Sequence, residues 1–449
     1  MKETFLMNEK IALISLGCPK NQVDAEAMLA LLKQNGFSIS SEVEGADLVI
    51  VNTCGFIEEA KKEAIETILS VAELKKEGLV GALLVTGCLA QRYKSEVIEE
   101  IPEIDGIIGI GKNGDIAEIC REVLSKKRVC EFPSKLSLPI DGDRILSTPR
   151  HFAYLKIAEG CSNCCSYCAI PAIRGKLRSR TIESIIEEAK NLASSGVKEI
   201  AVIAQDITRY GTDLYGEFML AKLLRELCRV DGIEWIRLLY CYPECMTDEL
   251  IDTIAEEEKI CKYIDLPLQH ADADVLKRMN RTGDEKTLLE LVEKLRKRIP
   301  GVIIRTTVMV GFPGETEENF ETLSRFVEEA KFDRLGCFAF SPEEGTLAAK
   351  MEDQIEPEVK EHRAELIMEQ QYRIFEEKQN EKIGKTFKVI VDGFDEENLF
   401  YTGRTYMDCL EIDSIVIIST EEELLPGDFV SVKIIATEDC DLVGEVVAD

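Results

Sequence analysis

Apolar and polar positions alternate in blocks along this chain. Apolar runs at 11–16, 47–51, 81–85 and 106–110 are each followed by a stretch whose apolar residues recur every three or four positions, at 22–34, 58–76, 91–100 and 115–124. Short continuous apolar runs fit strands buried on both faces, and the periodic stretches fit amphipathic helices. Strand–helix alternation of this kind builds a parallel sheet covered by helices. Residues 1–130 are therefore expected to form an open parallel α/β domain.

Residues 131–149 hold Pro133, Pro139, Gly142 and Pro149 with little apolar periodicity, which predicts a linker. The alternation restarts at 150. Six strand-like runs, at 153–158, 199–204, 235–240, 263–266, 302–310 and 335–340, are each followed by a helical stretch, the last a charged one at 356–379. Six β/α units are too few to close an eight-stranded barrel, so a partial barrel spanning 150–380 is expected, with its working face at the C-terminal ends of the strands. In 381–449 the pattern changes to short strand-like runs, at 387–391, 414–419 and 429–435, separated by glycines and acidic turns. That pattern predicts a small antiparallel β-barrel of the OB type.

Charge narrows the range of partners. The formal net charge is −30, and 381–449 carries 5 Lys and Arg against 17 Asp and Glu. Affinity for nucleic acid comes largely from phosphate neutralisation, so this balance favours a basic protein partner and makes the acidic tail a poor RNA module. No apolar run is long enough to span a bilayer, and the first ten residues lack the apolar core of an export signal. A reducing cytoplasm is expected, in which the 16 cysteines are free thiols or metal ligands rather than disulfides.

The cysteines then bring in chemistry. Cys161, Cys164, Cys165 and Cys168 crowd into eight positions just after a strand-like run. Zinc is the obvious rival, because two C-x2-C pairs are present. Zinc knuckles, however, are separated by a dozen residues or more, and adjacent Cys164 and Cys165 fit that geometry badly. Taking Cys161, Cys165 and Cys168 leaves a C-x3-C-x2-C set that can hold three irons of a cubane cluster and leave the fourth iron open, with Cys164 a bystander. Cys18, Cys54 and Cys88 each sit just past a predicted parallel strand. Such strand ends share one sheet edge, so three thiols distant in sequence are expected to converge on a second cluster, the alternative being three unrelated core thiols. Gln205 and Asp206, Gln269 and His270, and the segment Gly311-Phe-Pro-Gly314 end strands of the central domain and are candidate pocket residues. The other cysteines show no convergent spacing, except Cys241 and Cys245 with three residues between them, and read as structural thiols.

The chain resembles methylthiotransferases of the radical S-adenosylmethionine superfamily over essentially its whole length. The resemblance rests on Leu16-Gly-Cys-Pro-Lys-Asn21, Asn52-Thr-Cys-Gly-Phe-Ile57, Gly87-Cys-Leu-Ala-Gln-Arg92, Glu159-Gly-Cys through Cys168-Ala-Ile-Pro171, Arg174-Gly175, Arg178-Ser-Arg180, Asp265-Leu-Pro-Leu-Gln-His270 and Gly311-Phe-Pro-Gly-Glu315. The tail resembles a TRAM domain, departing from it at Cys409, Leu410 and Ser414. The resemblance implies a central radical S-adenosylmethionine barrel and two [4Fe–4S] clusters. Cys161, Cys165 and Cys168 would bind the one that chelates S-adenosylmethionine, and Cys18, Cys54 and Cys88 an auxiliary one carrying the sulfur to be transferred. A second S-adenosylmethionine would supply the methyl group, and an electron donor the reducing equivalents. Tyr167 would lie near the adenine, with Gln205, Gly311 and Gly314 also toward the cofactor. Read from the residues themselves, the basic run Arg174, Lys176, Arg178 and Arg180 either grips a carboxylate of S-adenosylmethionine or of the substrate or forms a solvated loop. Within the family, Asn52 to Lys61 looks like the branch that modifies an aspartate of small-subunit ribosomal protein twelve, a basic protein. Modification of a tRNA adenosine is the alternative.

Overall fold

A computed structural model describes residues 9–447, the side chain of Ser95 excepted. They form two compact units. The first gathers 1–147, 158–180 and 343–346, and the second 148–157, 181–342 and 347–449.

The first unit opens with β1 (Lys10–Ser15), α1 (Pro19–Gln34), β2 (Ser38–Ser40), β3 (Leu48–Thr53), α2 (Glu58–Lys76) and β4 (Leu83–Gly87). It continues with α3 (Cys88–Tyr93), α4 (Ser95–Glu100), β5 (Gly106–Ile108), α5 (Ile116–Leu124) and β6 (Val129–Glu131). The strands form one sheet in the order β2-β1-β3-β4-β5-β6, parallel throughout. Every residue of β3 and β4 is buried, the pattern of central parallel strands covered on both faces. On α2 the buried positions are Lys61, Ala64, Ile68, Val71 and Ala72, one stripe at helical spacing.

The expected parallel domain is present, with three local differences. The stretch expected as one helix at 91–100 is two, broken at Lys94, whose φ of +51° no α-helix accommodates. The strands β2 and β6 are only three residues long and lie at the two edges of the sheet, too short to leave a periodic signature. The 131–149 segment has little regular structure but is firmly held. Arg178 donates to the carbonyls of Leu136 and Leu138, Arg180 to Asp141, and Arg144 to the buried carboxylate of Glu26. The 343–346 segment is fixed in the first unit by Glu343, which pairs with Lys61 at 3.1 Å and Arg92 at 2.9 Å.

Next in the chain come β7 (Phe152–Lys156), which belongs to the second unit, and then β8 (Ala158–Glu159), α6 (Ile170–Arg174) and β9 (Arg178–Ser179), which belong to the first. The second unit continues with α7 (Ile182–Ser194), β10 (Glu199–Ile203), α8 (Leu220–Cys228), β11 (Trp235–Leu238), α9 (Asp248–Glu256) and β12 (Ile260–Asp265). After these come α10 (Ala273–Arg278), α11 (Glu285–Arg298), β13 (Ile303–Val310), α12 (Glu317–Ala330), β14 (Arg334–Ala339) and α13 (Pro357–Asn380). Its strands pair in strict chain order, β14-β13-β12-β11-β10-β7, all parallel and not closed, which is the expected partial barrel. Side-chain caps start most of its helices, among them Thr181 on α7, Thr247 on α9 and capping boxes at Asp284 and Thr316, while α8 and α13 start without one.

The tail forms a closed five-stranded barrel of β15 (Thr386–Asp395), β16 (Phe400–Thr405), β17 (Val416–Ser419), β18 (Phe429–Glu438) and β19 (Asp441–Val446). Four of its pairings are antiparallel, and β17 with β19 is parallel. No helix among the described residues is long and apolar enough to cross a membrane.

Within the second unit, sheet and small barrel share a buried ionic network. Glu199, at the start of β10, accepts from Arg237 Nε at 2.8 Å and from Arg404 Nη1 at 2.7 Å. Arg404 also donates to Asp392, which pairs with His151 at 2.8 Å. Glu199 and Arg237 are wholly buried. Buried ions survive only when paired, so removing the charge of Glu199 leaves Arg237 without a carboxylate partner and Arg404 with Asp392 alone. Glu199→Gln is expected to lower the unfolding free energy by about 3–5 kcal/mol in urea titrations. A loss under about 1 kcal/mol would mean that this network does not secure the unit.

Candidate metal centre

In the first unit β1, β3 and β4 are consecutive parallel neighbours, so their C-terminal ends lie along one edge of the sheet. Cys18 follows β1 as the N-cap of α1, Cys54 follows β3 directly, and Cys88 is the first residue of α3 after β4. Glycines let the three loops abut. A Cβ on Gly17, whose φ is +88°, would lie 2.5 Å from Cys54 Cβ and 2.8 Å from its Sγ. A Cβ on Gly55 would lie 2.6 Å from Leu89 Cα. Asn21 ties the loops together from α1. Its Nδ2 donates to the carbonyl of Leu16 at 2.7 Å and reaches that of Asn52 at 3.3 Å, while Asn52 Nδ2 donates to the carbonyl of Asn21 at 2.8 Å. The convergence expected from strand order is present.

The loop Cys161–Cys168 belongs to the same unit. Gly160, at φ +76°, enters it so closely against the returning chain that a Cβ would lie 2.3 Å from the carbonyl of Lys176. The Cys161 N–H donates to the carbonyl of Gly175 at 3.0 Å, and that of Cys168 to Cys165 at 3.1 Å. Cys161, Cys165 and Cys168 are half-buried. Cys164 differs in kind: it is exposed, holds a left-handed φ of +43°, and its Sγ lies 3.6 Å from the carbonyl of Ser162. Its backbone makes the turn of the loop.

The two thiol sets adjoin. Cys88, Ala169 and Ile173 form one buried cluster, which places Cys88 against the helix that follows Cys168. From that helix Arg174 Nε donates to Cys88 Sγ at 3.3 Å. Its Nη1 donates to Asp24 at 2.9 Å and to both oxygens of Glu159 at 3.0 Å, and its Nη2 to Asn21 Oδ1 at 3.2 Å. Arg174 is 1% exposed. Its carboxylate partners are thus the protein's own. With Arg178 and Arg180 bound to the 131–149 segment, three members of the expected carboxylate-gripping run are committed internally, and only Lys176 is exposed.

Burial pushes the thiols of the trio up, and local charge decides each outcome. At Cys18 burial is outweighed by the charges of Lys20 and Arg174 and by the N–H groups of Asn21 and Lys20, so its thiol is held below the usual value. Cys54 is raised by burial against the N–H groups of Phe56 and Gly55. Cys88 is pushed up to about 12 by burial in spite of Arg174, and Cys168 to about 12 by burial in spite of the Ile170 N–H. Among the described residues no three Cys, His, Asp or Glu side chains close around a single ion. Sulfurs in low-dielectric surroundings with N–H donors aimed at them are what an iron–sulfur cluster requires. The donor sets fit the group.

Tyr167 is half-buried in the loop. Gln205, Gly311 and Gly314 belong to the second unit and follow β10 and β13. Asp206 accepts from the Thr208 N–H at 2.9 Å. His270 is fully buried, with Nε2 3.5 Å from Glu315, whose carboxylate also accepts from the Gly311 N–H at 3.0 Å. The two glycines meet side chains at close range, Gly311 against Lys360 and Gly314 against Arg278. Sequence reasoning gave Asn21 and Glu159 only as members of motifs, without a role, and missed Asp24. All three flank cysteines, but nothing in their spacing announces that they meet. A cavity of about 660 Å³ opens beside Cys168, lined by Arg92, Lys135, Ala169, Ile173 and Glu344 among others, all within the first unit. It is large enough for a small organic ligand.

The chain matches the family description "Radical SAM superfamily" over residues 155–327, "Uncharacterized protein family UPF0004" over 10–109 and "TRAM domain" over 383–447. It is 51% identical to the ribosomal protein uS12 methylthiotransferase RimO of Clostridioides difficile (strain 630), over 97% of this chain and 98% of that one. It is 48% identical to the protein of the same name from Geobacter sulfurreducens, over 98% and 99%. Among solved structures, the radical S-adenosylmethionine methyltransferase TsrM from Kitasatospora setae aligns with a TM-score of 0.54 at 15% identity, over 74% of this chain and 73% of that one, a likeness of fold.

The loop geometry separates its four thiols experimentally. After reconstitution with iron and sulfide, Cys164→Ser should retain the iron of the parent chain, whereas Cys165→Ser should lose about four irons per chain. Equal losses in iron assays of the two variants would show that the wrong three thiols had been chosen.

Proposed function

The chain belongs to the family of ribosomal protein uS12 methylthiotransferases, and we propose that it replaces a hydrogen on the β-carbon of an aspartate of that protein with a methylthio group. Membership of the radical S-adenosylmethionine superfamily implies a [4Fe–4S] cluster and S-adenosylmethionine, and the N-terminal family domain implies a second cluster. In our reading Cys161, Cys165 and Cys168 hold the first and Cys18, Cys54 and Cys88 the second. When bound, these groups supply a carbon radical able to take hydrogen from an unactivated carbon, together with the sulfur and, from a second S-adenosylmethionine, the methyl group.

The observation that carries this reading is the contact of the two thiol sets through Cys88, Ala169 and Ile173, with Arg174 on the Cys88 sulfur. Radical generation and sulfur delivery must act on one substrate carbon, and a chain that packs both thiol sets against each other meets that need. The protein's share is positional. The glycine contacts at Gly17 and Gly160 set the loops, Asn21 and Asn52 lock them, and burial of Cys88 keeps water away from a reactive sulfur. Tyr167, Gln205, Gly311 and Gly314 are proposed to face S-adenosylmethionine. We keep 1–130, 131–149, 150–380 and 381–449 as the functional division of the chain, and a reducing cytoplasm with an electron donor as its setting.

A protein substrate is favoured over the tRNA alternative by charge. The chain is −30 overall and its small barrel strongly acidic, which attracts a basic ribosomal protein and repels phosphate. Deleting the gene and weighing both products separates the two. Intact-mass spectra of uS12 should lose one methylthio group while digested tRNA keeps its methylthio nucleosides. The opposite pattern would make the chain a tRNA enzyme.

A further inference from the structure

We propose that Arg174 is a positioning residue that sets the redox poise of the cluster held by Cys18, Cys54 and Cys88, acting through its hydrogen bond to the Cys88 sulfur. The proposal rests on the two-cluster reading above and assigns to Arg174 a role other than substrate binding.

Three observations carry it. The guanidinium is 1% exposed and enclosed by protein groups, so it is not placed to meet a substrate carboxylate. Its Nε donates to Cys88 Sγ at 3.3 Å, and Cys88 is itself 5% exposed. Its other nitrogens are fixed by Asp24, Glu159 and Asn21, so the donor facing sulfur cannot swing away.

Reducing an iron–sulfur cluster by one electron adds negative charge that spreads onto the ligand sulfurs. A fixed N–H donor and a buried positive charge at one of those sulfurs favour the reduced state and raise the potential. Asp24 and Glu159 work in the opposite direction. They offset the guanidinium charge while holding its plane, so the poise is a difference between one cation and two carboxylates in a low-dielectric site. Lysine cannot reproduce this geometry, because a single ammonium cannot donate to sulfur and at the same time fork to Asp24 and Glu159. The helix that carries Arg174 begins two residues after Cys168. The loop that bears one thiol set therefore also presents the donor to the other.

The test uses the full-length chain with Cys161, Cys165 and Cys168 changed to alanine and reconstituted with iron and sulfide, so that any cluster signal belongs to Cys18, Cys54 and Cys88. Potentiometric titration followed by electron paramagnetic resonance reads the midpoint. In this background Arg174→Lys should shift the one-electron equilibrium about tenfold toward the oxidised form, which is 59 mV more negative. Glu159→Gln, which removes an opposing charge and keeps the arginine, should shift it the other way. A merely structural role predicts loss of iron or of thermal stability with no pair of opposite potential shifts. Unchanged midpoints in both variants, with iron bound, overturn the proposal and leave the two-cluster reading standing. If Arg174→Lys fails to hold a cluster, Glu159→Gln decides alone, and an unmoved midpoint again overturns it. A background chain that binds no iron overturns both.

Discussion

Burying a guanidinium at 1% exposure is tolerable only where every neighbouring group is chosen to receive it, and Arg174 organises the first unit on that condition. Its carboxylate partners come from α1 and β8, its amide partner from α1, and its sulfur partner from the start of α3. Stranding such an ion costs several kcal/mol, so these elements are held in one arrangement. That arrangement is the one that brings Cys88 against the helix following Cys168. Electrostatics thus supplies what loop sequences cannot supply alone, a fixed spacing between thiols that lie far apart in the chain.

The second unit uses the same device for a different end. Glu199 receives Arg237 from the sheet and Arg404 from the small barrel, and Asp392 receives Arg404 and His151. An open six-stranded parallel sheet has two unpaired edges, and its strand ends need cover. Here the covering module is joined by buried ion pairs rather than by apolar area alone. The arginine of the sequence segment Gly403-Arg-Thr, one of many charged residues in an acidic tail, is in fact 1% exposed. The tail therefore contributes a core contact as well as a charged surface.

The thiols divide by environment. Burial pushes Cys88 and Cys168 up to about 12, whereas Cys18, beside Lys20, Arg174 and the first N–H groups of α1, is held below its usual value. A cluster held by these thiols would displace those protons, since metal ligation requires thiolates. Cys164, with its left-handed backbone and exposed sulfur, has no part in that balance.

Much of this was legible in one dimension. Continuous apolar runs and helical periodicity are local properties, so the parallel sheet of the first unit, the open sheet of six strands in chain order and the terminal barrel followed from the sequence. Spacing within one loop is likewise geometry the chain carries along its own length, and it is what proposes Cys161, Cys165 and Cys168 rather than Cys164 as ligands. The meeting of Cys18, Cys54 and Cys88 was legible through one further step, that parallel strand ends share an edge. Short edge strands and the break at Lys94 left no periodic trace. The function of the basic run was not legible at all. Arg174, Arg178 and Arg180 read as a solvated or substrate-facing patch, and the fold turned each of them onto the protein's own acceptors. A charge in a sequence does not state its partner. Whether an arginine meets substrate, solvent or a buried carboxylate depends on which distant segments the folded chain brings within hydrogen-bonding distance, and only the tertiary structure decides that.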